Sequence, residues 1–354
     1  MRLHLYLLRL LLVAFAFTFG GMVVLSLPGV AVAAVHKLRG FPLLAVLEWV
    51  PLVLAGLVPY MLPLAFLFSV VAVYGRLAAD NEWTSIRMSG RHPLQVVLTG
   101  LGVALVLQAT TLVFVSDLLP WIRREQSTFL ARAASQTIRE LSPGRTELEL
   151  GDFYLTARRR DGQAFLDAFL HLPSEEGKPA QTLRAERVRF RFEKDQILLE
   201  LTDARTVVED REIRSGNPVV RIDTALLRSE RESDMRKLKF LSNEQIVAEA
   251  DDPRTTPERR DTLIYEYHFR HGLAASCLVY LLLGIPTGLL LRRGNQLLPL
   301  AAAVLWALLF YLLYQRLSRE LALSHTLPPR ESAWAVVVVF GLIGGWYTRK
   351  AMRQ

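Results

Sequence analysis

The sequence predicts an α-helical membrane protein with six transmembrane helices and an all-β extracytoplasmic domain inserted between the third and fourth. Three observations carry that prediction. The chain of 354 residues is 51% apolar, with a positive mean hydropathy. Its apolar residues collect in six uncharged runs, 10–35, 49–74, 94–116, 272–291, 297–315 and 332–348. A bilayer core asks for roughly 20 apolar residues per helix, within about 17–25, and every run reaches that range. The remainder, 119–270, is one polar block long enough for a domain with its own core.

Charge separates the same two parts. Residues 119–270 hold 27 Lys/Arg against 28 Asp/Glu, and the rest of the chain 15 against 6, so the net charge of +8 belongs to the membrane part. A near-neutral polar block argues against a nucleic-acid partner, which would require a basic face there. The single cysteine, Cys277, lies in an apolar run, which leaves neither a disulfide framework nor a multi-cysteine metal site.

The first run follows Arg2 and Arg9 and ends in "AVAA", which resembles a cleavage site. The apolar region of a signal peptide is about 7–15 residues. This run is longer, so the reading is a retained first helix. The second run holds Pro51, Pro59 and Pro63, and the fourth "LLLGIPTGLL" at 281–290. Proline removes a backbone donor and bends a helix, and a membrane tolerates it only where neighbours satisfy the freed groups. Such spans line cavities in some proteins and simply pack in others.

Between the second and third runs sits "YGRLAADNEWTSIRMSGRHP", 74–93. Asp80 or Asn81 can cap a helix there and Gly90 can end it. Ala79, Trp83 and Ile86 recur at helical spacing as an apolar stripe. Arg76 and Asp80 are four apart and can pair. A short amphipathic helix lying along the membrane fits these signals, and so does a solvated loop that carries its arginines for topology alone.

The polar block reads mainly as strands. A helix continuing from span three is expected over 119–140. "TELELGDFYLTARRR" alternates, "DG" at 161–162 marks a turn, and "AFLDAFLHL" follows. "ERVRFRFEKDQILLELTDARTVVE" has period two, with Val188, Phe190 and Phe192 on one face, then Leu199 and Leu201 after an "EKDQ" turn. "PVVRIDTALL" is a further candidate strand. Period-two runs joined by short turns suggest an antiparallel sandwich or barrel. "TTPERRDTLIYEYHFR", 255–270, predicts a helix entering span four, capped by Thr255 or Thr256 with Pro257 at its first position.

Lys and Arg near helix ends orient the chain. With both termini in the cytoplasm, the inner ends hold Arg2, Arg9, Arg76, Arg87, Arg91, Arg292, Arg293, Arg349, Lys350 and Arg353, against Lys37, Arg39, Arg316, Arg319 and Arg330 in the short outer loops. The strand block then lies outside the cytoplasm and 74–93 is the longest inner connection. His36, Lys37 and Arg39, at the outer end of span one, are placed to meet anionic headgroups or a phosphorylated ligand, or to act as snorkelling anchors.

Catalytic signals are thin. No Walker-type phosphate loop, GxSxG or HExxH occurs. His268 and His271 stand three apart near Glu266, but no metal site is expected. Without a nucleotide loop, work on a substrate would draw its energy from a partner.

The chain resembles the LptF/LptG family, also called YjgP/YjgQ permeases. "LPLAFLFSVVAVYGRLAADNEWTSIRMSG", 62–90, is similar to the family's most characteristic stretch, an L-P-x-A helix running into GRL, then (D)NE and R-x-S-G. "LLLGIPTGLLLRR", 281–293, resembles its LLG-x-P-x-G segment, although "HFRHGLAAS", 268–276, lacks a proline that many members carry. The order of three spans, strand-rich domain and three spans also fits. The motifs cover about a seventh of the chain and the architecture covers all of it.

That resemblance implies a permease subunit of an ABC transporter in the inner membrane, exporting lipopolysaccharide. It implies a second permease of the same fold, an LptB-like ATPase dimer, an LptC-like bitopic protein and an LptA-like periplasmic bridge. ATP would bind the partner ATPase, with no cofactor on this chain. The segment of about 76–90 would be the coupling helix, with Glu82, Arg76, Asp80, Trp83 and Arg87 meeting the ATPase. Lys37, Arg39 and His36 would contact lipid phosphates. The strand block would be a β-jellyroll, giving a division into 1–118, 119–270 and 271–354.

Two other classes compete. A membrane-anchored sensor or scaffold with a ligand-binding outer domain would call for an inner output domain, and the longest inner segment is only 74–93. A membrane enzyme acting on lipid or glycan would call for carboxylates or histidines clustered at one membrane face, and none stands out.

Overall fold

The computed structural model describes residues 2–38, 41–90, 92–140, 147–150, 153–161, 164–172, 181–193, 196–208, 211–216, 219–223, 238–291, 297–324 and 326–353. Among the described residues six helices are long and apolar enough to cross a membrane. In chain order the helices are α1 (Arg2–Lys37), α2 (Leu43–Ala79), α3 (Glu82–Met88), α4 (Leu94–Val113), a π-helical turn (Phe114–Leu118), α5 (Leu119–Glu140), α6 (Asn243–Asp251), α7 (Pro257–Leu290), α8 (Leu297–Leu323) and α9 (Pro329–Arg353). The strands are β1 (Glu147–Leu150), β2 (Phe153–Asp161), β3 (Ala164–Leu172), β4 (Gln181–Glu193), β5 (Gln196–Val208), β6 (Arg211–Gly216) and β7 (Val219–Asp223). The chain divides into two compact units, Met1–Leu25 with Leu57–Pro120 and Phe240–Gln354, and Ser26–Gly56 with Trp121–Lys239.

In the first unit α7 is the central helix, buried on nearly all sides from Leu273 to Leu289. Small residues let its neighbours approach, which is how helices pack where lipid removes the hydrophobic drive between them. A Cβ on Gly288 would stand 2.8 Å from both the Gly75 amide nitrogen and the Val71 carbonyl oxygen of α2. A Cβ on Gly284 would meet Val70 at 2.8 Å. On a second side a Cβ on Gly344 of α9 would meet Leu282 at 2.8 Å, and on a third one on Gly100 of α4 would meet Leu281 at 2.7 Å.

Pro286 sits inside α7 and removes the donor that would bond the carbonyl of Leu282. Thr348 of α9 supplies the missing bond, its hydroxyl donating to that carbonyl at 2.6 Å. α2 runs as helix through Pro51, Pro59 and Pro63 with no break. An aromatic column joins α7, α8 and α9. Phe269 stacks on Tyr314 at 4.6 Å, Tyr314 on Phe310 at 5.5 Å, and Phe340 meets Phe310 edge-on at 5.4 Å.

In the second unit the end of α1 and the start of α2 pack on α5 through Ala34, Leu38, Trp49 and Leu130. The helix expected over 119–140 is α5. The strands form one antiparallel sheet in the order β1-β2-β3-β4-β5-β6, with β7 also paired to β5. The expected strand segments are all there, and β6 is an addition. Its charged Arg211, Glu212 and Arg214 hide it from a search for apolar alternation. Gly162 of the expected "DG" turn and Lys194 and Asp195 of the "EKDQ" turn lie outside the described residues. The described strands define a meander. Greek-key crossovers, which make a jellyroll, are not among their pairings.

The alternation also breaks once in each long strand. Buried positions run Leu183, Ala185, then Val188 in β4, and Leu199, Leu201, then Ala204 in β5. β3 buries Phe165 and then Ala168 and Leu170. Asp167 and Asp203 stand at the break with φ of 51° and 49°, a left-handed residue that turns the pleat over. Asp167 takes Arg184 at 3.2 Å, and Arg205 pairs Asp203 at 3.7 Å.

The helix expected at 255–270 begins at Pro257 with Thr256 in the cap position. Thr256 makes no side-chain cap bond, while the Thr255 hydroxyl donates to the carbonyl of Glu249.

Candidate functional site

The polar connection at 74–93 resolves into three parts. α2 continues through Arg76 to Ala79, the chain turns at Asp80 and Asn81, and α3 occupies Glu82–Met88. Asn81 has φ 58°, and its side chain makes no cap bond. Gly90, at φ 74°, follows the helix in the conformation glycine adopts without strain. Ala79 ends α2 with its side chain exposed, so the apolar stripe of α3 is Trp83 with the partly buried Ile86.

Trp83 is 8% exposed and packs in one cluster with Leu7 and Leu11 of α1, Leu77 and Ala78 of α2, and Val96 of α4. A seven-residue helix has no stability of its own, and that anchor holds it. Tyr74 tightens the same corner, its buried hydroxyl donating to the carbonyl of Val96 at 3.0 Å. The tip of α1 adds two polar contacts. His4 Nδ1 lies 2.7 Å from Thr99 Oγ1, and the Tyr6 hydroxyl lies 2.9 and 3.1 Å from the two Glu82 carboxylate oxygens.

Arg76 and Asp80 pair at 3.3 Å with side chains 66% and 50% exposed. Such a pair contributes under about 1 kcal/mol, and both groups remain open to a partner. Glu82 and Arg87 are half-buried, while Thr84, Ser85 and Met88 are exposed. α3 thus buries one side in the membrane helices and presents a mixed charged, hydroxyl and thioether surface on the other.

The other expected site residues stand elsewhere. His36 is exposed and Lys37 half-buried in the last turn of α1. Arg39 lies outside the described residues, as do Arg91, Arg292 and Arg293. The histidine pair on α7 is divided among separate partners. Trp334 Nε1 is 3.4 Å from His268 Nδ1, His271 Nδ1 is 2.8 Å from the Tyr267 carbonyl, and Glu266 accepts from Arg270 at 3.0 Å. Among the described residues no group of three or more His, Cys, Asp and Glu is placed to hold a metal ion.

Two features were hidden from sequence reasoning. Tyr6 precedes the first uncharged run, 10–35, and no spacing rule links it to Glu82. Arg270 stands in "HFRHGLAAS", where no motif marks it. It is 2% exposed, donating to Glu266, to the Leu241 carbonyl at 2.9 Å and to Asn243 Oδ1 at 3.1 Å. Asn243 in turn donates to Ser116 of the π-helical turn at 2.7 Å. The i,i+4 spacing of Glu266 and Arg270 was the one available signal.

Six apolar helices, an inserted antiparallel strand block and a short amphipathic helix anchored between spans two and three define a multi-pass membrane protein of permease type. No curated protein matches the chain. Residues 5–350 match the family model described as lipopolysaccharide export system permease LptF/LptG, and the chain belongs to that family. The two stretches that carry the resemblance, 62–90 and 281–293, meet in space where Gly288 crosses Gly75.

Proposed function

We propose that the chain is one permease subunit of an ABC transporter. It draws lipopolysaccharide from the outer leaflet of the inner membrane and passes it to a periplasmic bridge toward the outer membrane. The family match supports the transport system. The anchoring of α3 supports the coupling role: Trp83 fixes the helix to three membrane helices, while Glu82 and Arg87 on it, and Arg76 and Asp80 just before it, stay at least partly exposed. An LptB-like ATPase dimer binds and hydrolyses the ATP, and α3 seats in it from the cytoplasm. A second permease of the same fold completes the cavity, against apolar faces such as Phe17, Val24 and Leu25 of α1 and Leu305, Leu308 and Leu312 of α8, which this chain leaves exposed.

Both termini are cytoplasmic in this reading, and the strand block is periplasmic. The block acts as the jellyroll-like element that hands lipid to LptC-like and LptA-like proteins. Its single buried face and the pleat reversal at Asp167 and Asp203 suit a sheet that wraps. His36, Lys37 and Arg39 contact lipid phosphates, and photo-crosslinkers at these positions should capture lipopolysaccharide. Absence of adducts there would reduce them to anchors.

The deciding experiment is co-purification of the complex carrying Glu82→Ala. Loss of a charge-assisted contact costs roughly 1.5–3 kcal/mol, so the variant should shed ATPase or hydrolyse ATP without transport. Normal assembly with normal transport would remove α3 from the coupling role. Protease mapping that placed 74–93 on the side of the strand block would do the same.

A further inference from the structure

We propose that Tyr6 is a positioning residue of the coupling site: its hydroxyl holds Glu82 to the start of span one, so that a load on α3 is delivered to α1. The inference rests on the coupling role of α3 proposed above and adds the residue through which that role reaches a membrane span.

α1 meets α3 only through its first turns, while its other end packs on α2 and α5 through Ala34 and Leu38. Its apolar stretch is almost bare inside this chain, 6% buried. Phe17 is 78% exposed and Leu25 82%. Gly20, Gly21 and Gly29 have nothing within 4 Å of where a Cβ would stand, so no neighbour crosses closely there. Past the first turns, Thr18 makes one bond to a neighbouring helix, donating to the Ala65 carbonyl of α2 at 3.0 Å. The first turns differ. Leu7 and Leu11 are each 1% exposed in the cluster that contains Trp83, and His4 meets Thr99. Whatever moves α3 therefore moves the tip of α1 before any other part of that helix.

Between α1 and α3 the Tyr6–Glu82 contact is a directional one. Apolar packing of Trp83 on Leu7 and Leu11 tolerates sliding, because dispersion attraction has no preferred axis. A hydroxyl donating to a carboxylate has both direction and length. The phenol carries one hydrogen and lies within reach of both oxygens, at 2.9 and 3.1 Å. An ionised carboxylate has about four acceptor sites. Tyr6 occupies one, leaving capacity for a cation of the ATPase, and Glu82 is half-exposed on that side. The arrangement bridges an outside cation and span one through one carboxylate, and Tyr6 need not leave when the partner arrives.

The test uses the complete transporter in proteoliposomes, with lipopolysaccharide released per ATP hydrolysed as the readout. That ratio is independent of how much complex assembles. Tyr6→Phe keeps the ring and removes the hydroxyl. It should leave ATPase co-purification intact and lower the ratio by roughly 3- to 10-fold, the factor one ordinary hydrogen bond supplies. A residue that merely stabilised the fold would reduce yield and leave the ratio alone.

An unchanged ratio in Tyr6→Phe would overturn the inference while leaving α3 as coupling helix. Glu82→Ala with full assembly and transport would instead remove the coupling role, and the inference with it.

Discussion

Span one and span four are both apolar helices of more than thirty residues, yet they are built on opposite plans. The apolar stretch of α7 is 83% buried inside the chain and that of α1 is 6%. α7 carries glycines where partners cross, a proline whose orphaned carbonyl a neighbour satisfies, and a buried arginine bonded to Glu266, Leu241 and Asn243. α1 carries glycines that face nothing and meets its neighbours at its two ends, through Leu7 and Leu11 at one and Ala34 and Leu38 at the other, with a largely bare stretch between. Hydropathy identifies both as spans without distinguishing them. The contrast teaches that one helix is a scaffold and that the other is left for lipid, cargo or a second subunit to cover.

The largest expected effect is on buried charge. Arg270→Leu leaves Glu266, Asn243 and the Leu241 carbonyl without their donor, and breaking a buried pair costs about 3–5 kcal/mol. Thermal unfolding of the purified permease should show a large drop and reduced yield. A stability within error of the parent would mean that water replaces the guanidinium there, and α7 would be less of a scaffold than its burial suggests.

The sharpest form of the contrast is one substitution made in both helices. Gly288→Ala puts a methyl against two backbone atoms of α2 that no side-chain rotation can move, and overpacking of this kind costs about 1–3 kcal/mol. Gly20→Ala meets nothing within 4 Å and exchanges glycine for a better helix former, so it should be neutral or stabilising by up to about 1 kcal/mol. Equal effects at the two positions, measured as detergent-resistant melting temperature, would erase the distinction.

Thr348→Val is the smallest. It strips the hydroxyl that satisfies the Leu282 carbonyl behind Pro286, and such interhelical bonds are worth about 0.6–2 kcal/mol. Adding Pro286→Ala should restore most of the loss, because the helix then bonds its own carbonyl. Failure of that rescue would show that Thr348 acts by shape and not by its hydrogen bond.

Part of the functional site was legible before any coordinates. "DNEWTSIRMSG" carries a turn signal, a helical stripe and a terminal glycine, and α3 lies within it. Its boundary was not legible, because Arg76 and Ala79 have the helix propensity to belong to either neighbour. Only the packing of Leu77 and Ala78 into the α2 cluster assigns them to span two. The strands were visible in their alternation, save for β6, whose backbone bonds to β5 while its sequence offers no apolar face. The reversals at Asp167 and Asp203 were invisible, since aspartate carries no unique backbone signal.

By itself the sequence determined six spans, an inserted strand block and the family motifs. Those follow from local quantities: apolar length, period two, and short runs of residue type. Tertiary structure alone decided that α7 is central and α1 peripheral, that Thr348 repairs Pro286, and that Tyr6 reaches Glu82 across 76 positions of chain. Each of these depends on which faces meet. A bilayer makes all apolar faces nearly equivalent to one another, so the choice falls to small residues and isolated polar groups whose partners lie far away in sequence.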